Sequence, residues 1–572
     1  MVLLIPALWL GYLVFSYGVN TPWGDEWEAN VSVFQAREAG TLNLGHFFAF
    51  HNEHRHFFPQ LLSFAVANLT HWNIRAELFV IWLLLCVCGF NVWRLAAATG
   101  WRKSPEATWL LLGANVLLFT PLQWENLLWG FQIGFLLPLA TMTACLWLAV
   151  ALRPPWNFVV TLVLCAFTTF CVASGFCSWL LVGPLLLVNG ASPIRARKSL
   201  WGVWWVAAVV SIVIYFHGYA RPPWHPSPVE ALKHPALAVQ FILEYVGQPF
   251  SRGTAVDADL LAQIVGAIFT GLLVVTAHYV WRHRHDRRLL ARSLPWFALT
   301  GIAFVNAFLT MIGRVGFGIA AAHQSRYVSF AIMLPIGLIF LLALTMQHAA
   351  VRSVIWEKRA LRLKLGATTL LTALLFLLTC GTVDCFRYWD AVQHIRLTGK
   401  SAILLSNLLD ESQGLRRYVH SSGPAILPKI EMLERAGYVN PPRLRSKDIR
   451  EIALQSEGAA LGEFALAVSG GDVVAYGWGV LAERGRTADS VVLTYDDAQG
   501  RPMIFARADV GERRKELRDP FQYNRYNESG WSKTLNRRDL PANASRICAW
   551  VFDAEQCRAF KIGEGSVPPT AP

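Results

Sequence analysis

Residues 328–346 read VSFAIMLPIGLIFLLALTM, a run of nineteen residues without a charged side chain. An α-helix needs about twenty predominantly apolar residues to cross the hydrocarbon core of a bilayer, so this run predicts a transmembrane helix. Ten further apolar runs lie on either side of it, which predicts a polytopic α-helical membrane protein with about eleven spans. The spans begin near Val2, Glu77, Ala107, Leu127, Trp156, Gly175, Leu200, Leu260, Leu294, Val328 and Leu365.

The composition of the chain agrees with a lipid environment. Of its 572 residues, 54% are hydrophobic and 16% are charged, and the mean hydropathy is +0.38. An ordinary soluble domain has about 25% charged residues. Much of the Lys and Arg behind the net charge of +13 lies in short clusters between apolar runs. Such clusters indicate membrane topology, and we expect no nucleic-acid partner.

Basic residues in short loops predict the orientation of the spans. All the clusters lie on one side, which is expected to face the cytoplasm. They are Arg102 and Lys103, Arg153, residues 195–198, residues 282–292 and residues 352–364. The loops 20–74, 219–259 and 313–327 and the turns at Glu125 and Ser174 then face outside. The chain after Cys385 is expected to be extracytoplasmic as well.

The C-terminal third changes character. Residues 386–417 and 429–437 have helical patterns, whereas beyond Leu461 short runs alternate with period two. These runs are 473–480, 490–495, 503–508 and 547–552. The predicted domains are a transmembrane domain (1–385), a helical connector outside the membrane (386–460) and an extracytoplasmic, mainly β sandwich or jelly roll (461–565). Pairing of Cys548 with Cys557 is left open, because a turn at 553–556 would place Cys548 opposite residue 561.

An acidic motif follows directly after the first predicted span. It reads WGDEWE over residues 23–28, so Asp25 and Glu26 stand between Trp residues that favour the membrane interface. An ion near this low-dielectric boundary is costly unless it binds something, which favours a functional role. The alternative is a solvated, charged loop.

Two more polar motifs lie on the same predicted side. Residues 51–56 read HNEHRH and contribute Glu53, His54 and Arg55. Residues 123–126 read QWEN, and because this turn is short we expect Glu125 to point toward the first outside loop. The alternative for Glu125 is an interfacial acid at a helix N-terminus.

Two arginines flank the Gly- and Ala-rich stretch 315–324. Arg314 precedes it, and Arg326-Tyr327 follows it. Arginine on the outer side runs against the positive-inside tendency, and its fixed fork of donors suits a phosphate group. The alternative is that both side chains reach toward lipid headgroups.

This arrangement resembles the GT-C superfamily of polyprenyl-phosphate-sugar-dependent glycosyltransferases, in which an acidic motif follows the first helix. Asp25-Glu26 occupies that place, Glu125 lies in the next outside turn, and Arg326-Tyr327 precedes an apolar span containing Pro335. The HNEHR and QWEN segments are similar to those of uncharacterised bacterial members. The helix count is lower than in the arabinose and mannose transferases of the superfamily, so no donor sugar is carried over.

The resemblance implies a multi-pass enzyme of the bacterial inner membrane with a periplasmic C-terminal domain. Its partners would be a polyprenyl-phosphate-sugar donor lipid and a lipid-linked or cell-envelope glycan acceptor. Such a transfer needs a base for the acceptor hydroxyl and a cationic clamp for the leaving phosphate. Asp25 is the predicted base, and Arg314 and Arg326 form the clamp. The other candidates are Glu26 and Glu125 as catalytic residues, and Glu53, His54, Arg55 and Tyr327 as substrate-binding residues.

A metal is optional in this scheme. Glu26, Glu53 and Glu125 could hold a divalent cation such as Mg²⁺ or Mn²⁺ through oxygen ligands, but Arg alone can stabilise a phosphate leaving group. His217, His225 and His234 are too loosely spaced to predict zinc. The alternative functions are a transporter or flippase of lipid-linked glycan, which should carry ionisable residues deep in its spans, and a glycan polymerase or ligase.

Overall fold

The computed structural model describes residues 1–101, 105–188, 198–352, 354–454, 459–469, 472–514, 526–536, 540, 544 and 546–567. The chain divides into two compact units. The first contains Met1–Ser16, Gly40–Val66 and Ala76–Tyr388, and the second contains Tyr17–Ala39, Ala67–Arg75 and Trp389–Pro572. Four basic residues of the predicted cytoplasmic clusters lie outside the described residues, namely Arg102, Lys103, Arg195 and Arg197.

Apolar α-helices make up most of the first unit. The described helices with residues in it are Ile5–Tyr17, Leu44–Phe47, Phe57–Thr70, Ile74–Ala98, Pro105–Leu118, Trp124–Leu128, Ile133–Ala151, Trp156–Thr169, Ser178–Val188, Lys198–Phe216, Glu230–Lys233, Pro235–Gly247, Ala258–Arg282, Arg287–Arg314, Val328–Ala331, Met333–Arg352 and Val354–Leu405. Short 3₁₀ turns join several of them at the polar motifs.

Seven helical segments among the described residues are long and apolar enough to cross a membrane. They are Ile74–Ala98, Gly130–Ala151, Ser199–Phe216, Ala258–Arg282, Arg287–Phe317, Ser325–Ala350 and Gly366–Leu405. Each corresponds to one predicted span. Four shorter apolar helices are Val2–Tyr17, Phe57–Thr70, Trp156–Thr169 and Ala173–Leu187. The total of eleven spans and their insertion in a membrane stay predictions.

Some helical segments differ from the sequence prediction. The spans predicted near Ala107 and Trp156 are the helices Pro105–Leu118 and Trp156–Thr169, each of 14 residues with a rise of about 21 Å, less than the roughly 30 Å of bilayer hydrocarbon. Pro105–Leu118 ends early because the next turn begins with Pro121 and is capped by the Thr120 hydroxyl. Conversely, Phe57–Thr70, predicted as part of an outside loop, is an apolar helix.

Two glycines bring two helices of the first unit into backbone contact. A Cβ atom at Gly247 would lie 1.9 Å from the carbonyl oxygen of Ala262, and one at Gly266 would lie 2.0 Å from that of Leu243. Only a residue without a side chain permits this approach. The contact holds Pro235–Gly247 against Ala258–Arg282 and fixes the helix ends that carry two acidic side chains described below.

The second unit contains a β-sandwich. Its strands are β1 (Leu461–Ser469), β2 (Asp472–Leu481), β3 (Arg486–Thr487), β4 (Ser490–Asp496), β5 (Pro502–Ala508), β6 (Val510–Glu512), β7 (Gly530–Leu535), β8 (Arg546–Asp553) and β9 (Arg558–Ser566). One antiparallel sheet has the order β1-β2-β7-β6 with β3 beside β2, and the other has the order β5-β4-β8-β9. Buried residues of both sheets, including Val473, Val491, Trp531 and Val551, share one core.

The period-two runs located four of these strands, β2, β4, β5 and β8, within one or two residues of their ends. Cys548 lies opposite Glu564 rather than residue 561, because the hairpin is wider than expected and a bulge shifts the register after Ala549. Cys548 and Cys557 are both free thiols.

Helical segments complete the second unit. They are Ala29–Glu38, Ser412–Tyr418, Leu427–Arg435 and the end of Val354–Leu405. Arg507 of β5 is buried and donates to both oxygens of Glu411 at 2.9 Å, beside a cleft of about 830 Å³. The predicted domain boundaries stay predictions. The helix Val354–Leu405 continues through residue 385 without a break, and Tyr17–Ala39 belongs to the same unit as the sandwich.

Candidate active site

The HNEHRH motif forms a tight turn that is anchored through Arg55. His51 and His54 exchange backbone hydrogen bonds of 2.9 and 3.0 Å, and Asn52 adopts a positive φ of 53°. The buried Arg55 side chain donates to the carbonyl oxygens of Phe48, Tyr215 and His217. Arg55 thus fixes the turn in place, and the predicted substrate contact of Arg55 stays a prediction. Between the anchored residues, the turn presents the side chain of Glu53.

Glu53 lies in a cluster with Arg314 and His225. Arg314 at the end of Arg287–Arg314 forms an ion pair with Glu53 and donates to His225 Nε2 at 3.0 Å. His225 Nδ1 lies 3.1 Å from the other Glu53 oxygen. The imidazole therefore accepts from Arg314 through Nε2, while its Nδ1 lies within ion-pair distance of Glu53, so the three side chains form one cluster.

The charges in this cluster shift the pKa values of its members. Burial works against ionisation of Glu53, but His54, Arg314 and His225 lower the pKa of its carboxyl below the usual value. Burial lowers the pKa of His54 to about 4; the Glu53 carboxylate opposes this change, and Arg314 and Arg326 add to it. At neutral pH the site therefore holds an ionised Glu53 and a neutral His54.

The QWEN turn and the SRY segment, residues 325–327, are interlocked. Glu125 accepts from the guanidinium of Arg326 and from its backbone N–H, each at 3.3 Å. Asn126 Nδ2 donates to the Arg326 carbonyl oxygen at 2.8 Å, and the Ser325 hydroxyl donates to the Leu122 carbonyl oxygen at 2.8 Å. Gln324 accepts from the remaining side of the Arg326 fork. These contacts orient the guanidinium from several sides.

The positive charges of Arg314 and Arg326 both lower the pKa of His54, so the two clusters lie in one region of the first unit. The side chain of Arg314 is 20% exposed and that of Arg326 is 26% exposed, so neither is sealed in the interior. Tyr327 is buried and stacks on Tyr245 with ring centroids 5.2 Å apart. The structure thus brings together Glu53, His54, Glu125, Arg314 and Arg326 from motifs that are far apart in the sequence.

The acidic motif after the first helix lies in the second unit, and its two acids have different environments. Residues Gly24–Trp27 form a 3₁₀ turn. The Glu26 carboxylate is fully buried and accepts from the Trp23 backbone N–H at 2.7 Å. Asp25 is only half-buried. Trp27 is buried, and its carbonyl oxygen accepts from Lys429 at 2.8 Å, which anchors the turn within this unit. The expectation that Asp25 faces Glu125 stays a prediction.

A third cluster in the first unit has the donor set of a metal site. One oxygen of Glu244 and one of Asp259 lie 2.9 and 3.0 Å from His323 Nδ1. The ligand atoms of Glu244, Asp259 and His323 all lie within 4.8 Å of one another. Among the described residues, these three form the group of His, Cys, Asp or Glu side chains that could hold a metal ion. It was not predicted from the sequence. Binding of Mg²⁺ or Mn²⁺ at Glu26, Glu53 or Glu125 stays a prediction.

Several site residues escaped the sequence analysis. The sequence considered alone offered His225 only as a histidine too loosely spaced from His217 and His234 to predict zinc, and it did not single out Glu244, Asp259 or His323. Each lies in a different segment, so no local spacing links them. Residue 244 in particular lies within a stretch predicted as a loop, where an acid is expected to be solvated. The apolar run of residues 235–247, which forms the helix Pro235–Gly247, is the sequence signal that could have shown residue 244 to be helical.

Comparison with known proteins gives little further information. No protein-family model matches the chain, and no curated protein matches it. A search of solved structures finds a similarity to the crystal structure of the Archaeoglobus fulgidus oligosaccharyltransferase in complex with Zn and sulfate. The identity is 12% and the TM-score 0.32, over 67% of this chain and 52% of that chain. At this level the similarity supports no statement about activity or substrate.

Proposed function

We propose that this chain is an integral membrane glycosyltransferase that moves a sugar from a polyprenyl-phosphate carrier to a lipid-linked or cell-envelope glycan acceptor outside the cytoplasm. The observation that carries the proposal is the pair Arg314 and Arg326. Both side chains are partly exposed, and each forms an ion pair with a carboxylate that orients it. The charges of both also lower the pKa of the same histidine, His54. Two oriented guanidinium groups in one region suit a phosphate that gains charge as it leaves.

The acids beside the arginines have a positioning role in this scheme. Glu53 and Glu125 each hold one guanidinium in a fixed direction, so little reorganisation is needed when the donor phosphate arrives. Gln324 and His225 hold the remaining edges of the two forks. Arg55 contributes indirectly, because its three carbonyl contacts keep the Glu53 turn in place.

Asp25 is the proposed general base. It would take the proton of the acceptor hydroxyl while that oxygen attacks the anomeric carbon, and the bond between this carbon and the phosphate oxygen would break with its electron pair on the phosphate. Glu26 is less suited to this step, because its carboxylate is buried and caps the turn. We therefore assign Glu26 a positioning role.

The transporter alternative expects ionisable side chains deep within the spans. In Ile74–Ala98 the buried acid is Glu77. It lies in the first turn of that helix, not deep within it, and it accepts a hydrogen bond from the Ser63 hydroxyl. A terminal, hydrogen-bonded acid does not define a transport path. The polymerase or ligase alternative shares the arginines and differs in its donor, which carries a diphosphate.

The experiment is a deletion of the gene, with mass spectrometry of the envelope lipids and complementation by variants. A glycosyltransferase predicts accumulation of its polyprenyl-phosphate-sugar donor together with an acceptor that lacks one sugar. Wild type should restore the missing sugar, whereas Arg314→Met and Arg326→Met at equal membrane levels should not. A transporter instead predicts a complete lipid-linked glycan that accumulates without a truncated acceptor, and this result would refute the proposal.

A further inference from the structure

Two carboxylates converge on one imidazole nitrogen at the end of the helices joined by glycine contacts. Glu244 is completely buried, His323 is 8% exposed at its side chain, and Asp259 is 44% exposed. Glycines 247 and 266 fix the two helices that carry the acids. Arg252 fixes the histidine segment, because it donates to the His323 carbonyl oxygen at 2.9 Å and to the Tyr388 hydroxyl at 3.0 Å. The three ligand groups are therefore held by separate, well-anchored elements.

The hydrogen bonds on the far side of His323 bear on its tautomer. Nε2 lies 2.8 Å from the Ser251 hydroxyl, and that hydroxyl has the Gln248 carbonyl oxygen as an acceptor at 3.1 Å. A hydroxyl has one proton to donate. When Ser251 donates it to Gln248, Nε2 carries the imidazole hydrogen and Nδ1 turns a lone pair toward both carboxylates. A cation between Nδ1 and the two carboxylates removes the repulsion of these lone pairs, and either a proton on Nδ1 or a metal ion can supply it.

We infer that Glu244, Asp259 and His323 bind a zinc ion. One imidazole nitrogen with two carboxylates suits Zn²⁺, whereas Mg²⁺ and Ca²⁺ prefer ligand sets made of oxygen alone. Ligand atoms around tetrahedral zinc lie about 3.3 Å apart, so the distances of 2.9 and 3.0 Å from His323 to the two carboxylates need to widen only slightly to admit the ion, and all three ligand atoms lie within 4.8 Å of one another. Ser251 then has the role of the partner that orients a metal-bound histidine.

The site lies beside the proposed phosphate clamp. His323 precedes Arg326 by three residues, and Tyr245, next to Glu244, stacks on Tyr327. A zinc ion bound here would tie the segment that carries Arg326 to two helices. Zinc binding stands independently of the proposed function, and only this consequence for Arg326 rests on it.

The test is the zinc content of the purified full-length protein after chelator treatment, reloading with ZnCl₂ and desalting. We expect one zinc per chain in wild type and its loss in Glu244→Gln and His323→Ala. The control is His348→Ala, because among the described residues the ion-pair partner of His348 is one carboxylate, Asp286 at 3.3 Å. It should retain the zinc. A wild type that holds no zinc, or a His323→Ala protein that holds as much as wild type, would overturn the inference.

A milder variant guards against misfolding. Asp259 is 44% exposed, so Asp259→Asn should leave the fold intact and weaken zinc binding at least about tenfold in competition with a chelator. Unchanged zinc affinity in this variant would also count against the site. Zinc content and sugar transfer are separate measurements. Zinc without transfer activity would refute only the proposed function, and transfer activity without zinc would refute only this inference.

Discussion

Replacement of Arg326 by lysine separates a phosphate clamp from a residue that merely provides positive charge. The Arg326 fork contacts Glu125 at 3.3 Å and also Gln324, so its plane is fixed from two sides. Lysine keeps the charge but has one nitrogen, which cannot hold both partners and a phosphate oxygen in the same geometry.

The size of the effect follows from the contact that is lost. A hydrogen bond to a charged group contributes about 1.5–3 kcal/mol. If the bond forms fully only as the phosphate leaves, its loss lowers kcat/KM about 10- to 150-fold. Folding stability should change by less than about 1 kcal/mol, because the ion pair with Glu125 is partly exposed and the charge is retained.

The assay follows sugar transfer by purified protein from donor lipids extracted from the host membrane. Arg37→Lys is the matched control. The Arg37 side chain is 29% exposed, close to the 26% of Arg326, and it pairs with Glu38 at 3.1 Å in the second unit. The control should keep kcat/KM within about twofold of wild type, because its partners Glu38, Asn68 and Tyr438 are not part of the proposed clamp. If Arg326→Lys also stayed within this range, the clamp would be refuted and contact with lipid headgroups would be the better interpretation.

Three further predictions concern other parts of the chain. Asp25→Asn should lower the transfer rate about 10²- to 10⁴-fold at unchanged melting temperature. Glu26→Gln should instead lower the melting temperature, because it alters a buried cap. Equal transfer rates for Asp25→Asn and wild type would exclude Asp25 as the base. The folded-state pKa of His54 is about 4, below the ordinary 6.5, so the unfolded chain binds the proton first. Thermal stability should therefore fall as the pH drops from about 6.5 to 4, and His54→Gln should reduce this slope; an equal slope in the variant would contradict the shift. Gly266→Ala should lower the melting temperature, because the new Cβ atom would collide with the backbone of Leu243. Gly271→Ala in the same helix should not lower it, because a Cβ atom there meets open space. Equal changes of melting temperature in the two variants would contradict the packing.

The apolar runs and the strand alternation were predictable because each depends on local sequence. Residues 328–346 lie within a segment long and apolar enough to cross a membrane, and the runs 473–480 and 490–495 fall on strands β2 and β4. Strands β1, β3, β6, β7 and β9 were missed. In β9, glycines at 563 and 565 interrupt the alternating pattern on which the prediction relied.

The candidate site was predictable only in part, because it depends on contacts between distant segments. The sequence singled out Glu53 and Arg314 but could not pair them, since 261 positions separate them. It likewise gave no reason to select His225, whose role depends on facing both of these residues. The distinct environments of Asp25 and Glu26 follow from a 3₁₀ turn that two adjacent acids do not reveal.

The most direct test of the central claim is the identity of the lipid released when purified protein transfers sugar. Polyprenyl-linked donors are incubated with the protein and an acceptor extract, and the lipid products are identified by mass spectrometry. We predict that polyprenyl monophosphate appears in a one-to-one ratio with the transferred sugar, and that Arg326→Met abolishes both products. Release of polyprenyl diphosphate, or movement of the lipid-linked glycan across a vesicle membrane without any released lipid, would contradict the account.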